Sequence, residues 1–231
     1  MMKIFRRVMH KINRFSKKAV RLWGARKIGL IYEKPNFLYI PRLTPDSVVI
    51  DAGCSYEADF SRMMIERYGV KAYAIDPTMK HRHALEKFEK ENSNHFIFLP
   101  FAISAEDGVL TFHESRTNES GSLMNDHKNV RDDEIISYEV RAMTLNSLLK
   151  HIGVANVDIL KLDVEGAEYR LLDRVDRADL TPFKQIFIEF HHHAVPRYSE
   201  ADTKRIVDRI CSFGFNKFSL DDHNYLLWQN K

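Results

Sequence analysis

Short apolar runs alternate with amphipathic stretches along most of this chain. Residues 47–50, 71–75, 96–101, 157–162 and 185–190 are rich in Val, Ile, Leu and Phe. Runs of that length and composition predict strands buried on both faces of a parallel sheet. Between them, Tyr56, Phe60, Met63, Met64 and Arg67 fall at helical spacing over 56–68, with Gly69 placed as the cap. Residues 81–90 predict a polar helix. Thr144 starts a helix striped by Leu145, Leu148, Leu149 and Ile152 and closed by Gly153. Ala167, Leu171, Leu172 and Val175 mark another helix. A capping box at Ser199 and Asp202 precedes Ile206, Val207 and Ile210. Strands and helices in alternation predict an α/β fold with a mostly parallel sheet. Residues 216–220 and 225–229, joined across 221–224, predict an antiparallel hairpin added at its edge.

Two segments break the rhythm. Residues 32–45 carry three prolines and read as an extended connector. Residues 105–143 form a polar insert, in which GVLTFHE and ISYEVRAM predict strands around a loop rich in Asn and Ser.

Charge separates the beginning of the chain from its body. Residues 1–28 hold ten Lys and Arg and no acid, leaving 25 basic against 32 acidic residues elsewhere. Ile4, Phe5, Val8, Ile12, Phe15, Ala19, Leu22 and Trp23 recur at three- and four-residue steps, which predicts a basic amphipathic helix over 1–31. Such a helix suits an anionic membrane surface or a lipid-linked partner. The acidic body argues against nucleic acid. No run approaches the roughly 20 apolar residues that span a bilayer, and a secretory signal is not evident. With Cys54 and Cys211 far apart, a reducing compartment is expected, hence a cytoplasmic protein at the inner face of the membrane. Length and composition suit one domain over 32–231; the oligomeric state is not legible.

Acids at the predicted strand ends carry the chemistry. Asp51 follows the first strand at the lip of the sheet, and Gly53 lets backbone approach a ligand. The further glycines of a dinucleotide fingerprint are absent, which argues against NAD. Asp76 ends the second strand, where a ribose diol is gripped in this topology. Asp163, Glu165 and Glu168 crowd the end of the fourth, where a helix dipole alone could account for them. They could also orient a hydroxyl, take its proton, or hold a divalent cation. His191, His192 and His193 follow the fifth strand, with His191 a general-base candidate. A zinc site lacks partners. A ligand with hydroxyls and a positive charge fits these acids, and S-adenosylmethionine (SAM) is one.

LKLDVEGAEYRLL, at 160–172, resembles the hallmark of the FkbM-type SAM-dependent methyltransferases, K-I-D-V-E-G-A-E. FAISAEDGVLTFH, the segment 119–123 and VRAMTLNSLL are similar to other family stretches in the same order. Together they cover about 48–190. The first loop departs from the family's D-x-G-A-N-x-G: DAGCSYEADF is one residue longer and lacks the second glycine. The resemblance implies a class I methyltransferase fold, a Rossmann-like, mostly parallel seven-stranded sheet. It implies methyl transfer from SAM to a hydroxyl of a saccharide, as in polysaccharide biosynthesis, or of a natural product. Asp51, Gly53, Ser55 and Asp76 would hold SAM, with Ala102 and Ser104 near its adenine. Asp163 and Glu165 would face the acceptor, Asp163 or His191 would be the base, and residues 116–133 would form a lid. A nucleotide-sugar dehydrogenase, an RNA methyltransferase and a non-catalytic SAM-binding module are the rivals.

Overall fold

The computed structural model describes residues 20–131 and 133–230. Of the basic helix expected over 1–31, residues 20–27 are helical, residues 28–31 instead turn into the first strand, and residues 1–19 lie outside the described residues. Among the described residues no helix is long and apolar enough to cross a membrane.

The first elements correct the connector. Residues 31–33 (β1, Ile31–Glu33) and 37–39 (β2, Phe37–Tyr39) pair as an antiparallel hairpin. Leu38 and Tyr39 are fully buried, packed in the apolar cluster on one face of the main sheet. The prolines at 35 and 41 lie in the turn and just past the hairpin, so they spare its pairing.

The core strands are β3 (Val48–Ala52), β4 (Lys71–Ile75) and β5 (Phe96–Leu99), then, beyond the insert, β10 (Val157–Leu162) and β11 (Phe183–Glu189). The closing hairpin is β12 (Phe215–Ser219) and β13 (Asn224–Gln229). They form one seven-stranded sheet in the order β12-β13-β11-β10-β3-β4-β5. β5, β4, β3, β10 and β11 run parallel; β13 pairs antiparallel to β11, and β12 antiparallel to β13, so β13 alone runs against the rest of this sheet. This is the class I methyltransferase sheet with its edge hairpin. Chain direction across the sheet reverses between β3 and β10, and the crevice beyond their carboxyl ends is the natural ligand site.

Helix ends follow local chemistry. Thr144 accepts the Ser147 N–H at 3.2 Å, and Gly153 closes that helix in a left-handed conformation. Ser199 and Asp202 form the expected capping box ahead of Glu200–Ser212. The helix expected from residue 56 begins only at Asp59, because Ser55 and Ala58 adopt left-handed backbone and turn the chain first.

The insert builds a second, four-stranded sheet: β6 (Ala102–Ile103), β7 (Gly108–Ser115), β8 (Gly121–Ser122) and β9 (Ile135–Met143), in the order β6-β9-β7-β8. It recruits Ala102 and Ile103, so the third core strand stops at Leu99 rather than Phe101.

Candidate active site

β3 runs two residues further than its apolar run suggests, and that changes the role of Asp51. Asp51 is not at the lip. It sits inside the strand, opposite Ala74 of β4 and Lys161 of β10. Its side chain is fully buried; Oδ2 accepts the Ser61 hydroxyl at 2.8 Å and the Ser61 N–H at 3.2 Å. Oδ1 faces the Lys161 ammonium at 3.2 Å. Asp51 therefore does not line the cavity.

Lys161 interrupts an otherwise apolar strand and is itself buried. Its ammonium donates to the Gly53 carbonyl at 2.8 Å and lies 3.3 Å from Asp163. Burial opposes its charge, but Asp51 and Asp163 outweigh burial and hold its pKa above the ordinary lysine value. The tips of β3 and β10 are thus tied by one cation. Gly53 completes the joint: a Cβ there would stand 1.7 Å from the Asp163 carbonyl oxygen, and φ is +78°.

A cavity of about 290 Å³ opens above this joint. Gly53, Ser55, Asp76 and Ala102 lie on its wall, with Asp163 and Glu165 at another part of it. Ser104 does not; β6 ends before it, its N–H bonds to the Met143 carbonyl, and it lines a neighbouring hollow. The insert contributes Glu119, Ser120, Gly121 and Leu123.

Asp76 is held by amides. Its oxygens accept the N–H groups of Ser55 and Thr78, each at 2.9 Å, and His81 Nδ1 lies 3.3 Å away. His81 is buried on the same wall, and its Nε2 has no hydrogen-bond partner among the described residues. A fixed carboxylate beside an unpartnered imidazole nitrogen matches a ligand carrying a diol.

The other part is ionic. Glu165 takes a left-handed backbone (φ 51°) ahead of Gly166, whose added Cβ would meet Val195 at 2.6 Å. This turn brings Glu165 within 2.8 Å of His127 Nε2. His127 is fully buried and comes from the insert. His191 is also buried; Glu168 accepts its backbone N–H at 2.9 Å and faces Nδ1 at 3.1 Å. His191 Nε2 lies 3.5 Å from Asp163 and 3.6 Å from Glu165.

Burial pushes the Asp163 carboxyl upward, more than Lys161 and His191 pull it down. Burial also works on Glu165, but the hydrogen bond to His127 and the charge of His191 win, leaving it below the usual carboxylate range. Burial opposes charge on His191 too, yet Glu168, Glu165 and Asp163 raise its pKa well above the ordinary value. The acids around His191 thus favour its charged form. Glu189, at the end of β11, is pushed up to about 7 by burial and by Asp163. His192 instead faces Thr203 at 2.9 Å, and burial lowers its pKa.

A model of the FkbM methyltransferase domain matches residues 47–217. The chain belongs to that family. The hallmark at 160–172 lies within the matched residues. No curated protein matches the sequence. Among solved structures, the N-terminal domain of human METTL16 in complex with SAH is 10% identical, with a TM-score of 0.47 over 95% of this chain and 83% of that one. M. capricolum TrmK in complex with S-adenosyl-homocysteine is 11% identical, with a TM-score of 0.41 over 82% and 65%. Methanococcus jannaschii fibrillarin, a pre-rRNA processing protein, is 15% identical, with a TM-score of 0.46 over 81% and 69%. The chain spans about 60% of another METTL16 methyltransferase-domain chain that it matches.

Within this FkbM domain, no group of His, Cys, Asp and Glu among the described residues is arranged to hold a metal ion, so the expected divalent cation finds no support. Asp163, Glu165 and Glu168 are instead turned toward Lys161, His127 and His191. Four residues of the site were absent from the sequence reading. Lys161 announces itself as a lone charge in a buried run, and Glu189 stands at a strand end like the other acids. His81 and His127 carry no local signal.

Proposed function

We propose that this FkbM domain methylates a hydroxyl oxygen of a saccharide-type acceptor. SAM supplies an electrophilic methyl group on a sulfonium. The acceptor oxygen bonds to the methyl carbon, the carbon–sulfur bond breaks, and the hydroxyl proton passes to Asp163. The observation carrying this reading is that Asp76 and the pair Asp163 and Glu165 line one cavity. A diol-binding carboxylate and a proton acceptor thus share a single enclosure. The upward-shifted Asp163 is the more basic carboxylate of the pair. Asp76, with Ser55 and His81 beside it, takes the ribose hydroxyls. Charged His191 and buried His127 position Glu165 and keep the acceptor side ordered.

The test is SAM consumption against a panel of free and lipid-linked glycans. Asp163→Asn lowers kcat by about 10²–10⁴ with SAM affinity unchanged. Unaltered turnover would remove Asp163 from the reaction, and turnover of RNA alone would replace the acceptor class.

We also place the basic helical segment on an anionic lipid surface. Val20 and Trp23 are exposed there, 68% and 61%, and the Lys27 ammonium sits 3.6 Å from the Trp23 ring centroid. Co-sedimentation with phosphatidylglycerol vesicles, absent with neutral ones, is the expected result.

A further inference from the structure

Beside the cavity lies a second hollow of about 320 Å³ that the reaction as described leaves unused. Leu123 and Ala167 line both, so the two adjoin across a shared wall. Its lining includes Thr111, His113, Asn125, Arg170 and Arg197.

The two arginines give the hollow its character. Arg197 donates Nε to Asp126 at 2.7 Å, and its Nη groups make no other hydrogen bond among the described residues. Arg170 is exposed and has no acidic partner within ion-pair distance among the described residues. Both guanidinium charges reach Tyr198, where they pull its pKa down against burial. Glu106, the acid on this lining, lies 3.3 Å from Arg174. The hollow therefore retains an uncompensated cation, a second set of free donors, and neutral side chains suited to hydroxyls. A guanidinium fork matches the two oxygens of a carboxylate or phosphate.

We infer that this hollow receives an anionic group of the acceptor, so that the substrate is an acidic saccharide bearing a carboxylate or a phosphate. The inference rests on the saccharide methylation proposed above. One sugar unit would hold its reacting hydroxyl near Asp163 and Glu165, while the charged substituent or a neighbouring unit passes Leu123 and Ala167 to meet Arg170.

The full chain is titrated with glucuronate, glucose 1-phosphate and glucose, with and without S-adenosyl-homocysteine, and binding is followed by ligand-observed NMR. At least one anion should bind roughly tenfold or more tighter than glucose, as expected for a charge-assisted contact. Preference for glucuronate would identify a carboxylate, and preference for glucose 1-phosphate a phosphate. Arg170→Gln should abolish the preference and leave S-adenosyl-homocysteine binding and the thermal midpoint unchanged. Arg197→Gln should weaken it. Equal affinity for all three sugars, or a preference that survives Arg170→Gln, would overturn the inference. Failure to bind S-adenosyl-homocysteine would instead count against the methyl-donor reading, because the sugar titration is also made without it.

Discussion

The two parts of the cavity are built from different interactions. Around Asp76 the carboxylate is fixed by two backbone amides and a histidine. Around Asp163 and Glu165 four acids face Lys161, His127 and His191. Two of the three partners there are backbone amides, which carry no side-chain charge. The second depends on buried charges that hold each other's protonation states, and removal of one leaves another unpaired. The donor side is thus rigid by backbone geometry and the acceptor side by charge balance.

The sharpest way to break that contrast is at the joint. Lys161→Met leaves Asp51 and Asp163 without their cation and is expected to cost about 3–5 kcal/mol of stability, measured by urea unfolding. An unchanged midpoint would show that the two strand tips are not held by this ion pair. Next, Asp76→Asn weakens charge-assisted contacts to the donor by about 1.5–3 kcal/mol. Calorimetry with SAM should show the loss, while kcat at saturating SAM is little altered. His127→Ala has the opposite signature. It should lower kcat about tenfold or more by freeing Glu165, with SAM affinity retained; a matching loss of SAM affinity would merge the two regions.

The smallest effect is in the pH dependence. Burial and the charges of His191 and His223 depress His193 to about 4. A histidine with a depressed folded pKa binds fewer protons folded than unfolded, so its contribution to stability is complete above about 6.5 and declines as pH falls toward 4. Glu165, also depressed, adds loss at lower pH, through its folded value. His191 works the other way: its contribution is full below about 6.5 and is lost as pH rises through its raised folded value. His193→Gln should flatten the decline between pH 6.5 and 4 in urea midpoints, and an unaltered slope would show that His193 is not held neutral.

Much of this was legible from short apolar runs. They located the five parallel strands, the edge hairpin, and Asp76 and Asp163 immediately past strand ends. Asp51 was misplaced because a charged residue ends an apolar run without ending a strand: Lys161 across the sheet supplies the compensation that lets β3 continue. The connector was misread because its prolines mask a hairpin whose Leu38 and Tyr39 are buried by distant parts of the chain. Ser104 was placed near the adenine by the family resemblance, whereas β6 ends at Ile103 and joins the second sheet, which leaves Ser104 off the cavity.

From its own order of residues, this chain determined the alternating layers, the strand-end acids and the family hallmark, because periodicity and local turn chemistry act between near neighbours. Tertiary structure alone decided which acid meets which cation. Lys161 joins Asp51 and Asp163 across adjacent strands, and His127 reaches Glu165 from a loop of the insert. Electrostatic partners are chosen by distance in space and by shared exclusion from water, and neither quantity is written in sequence spacing.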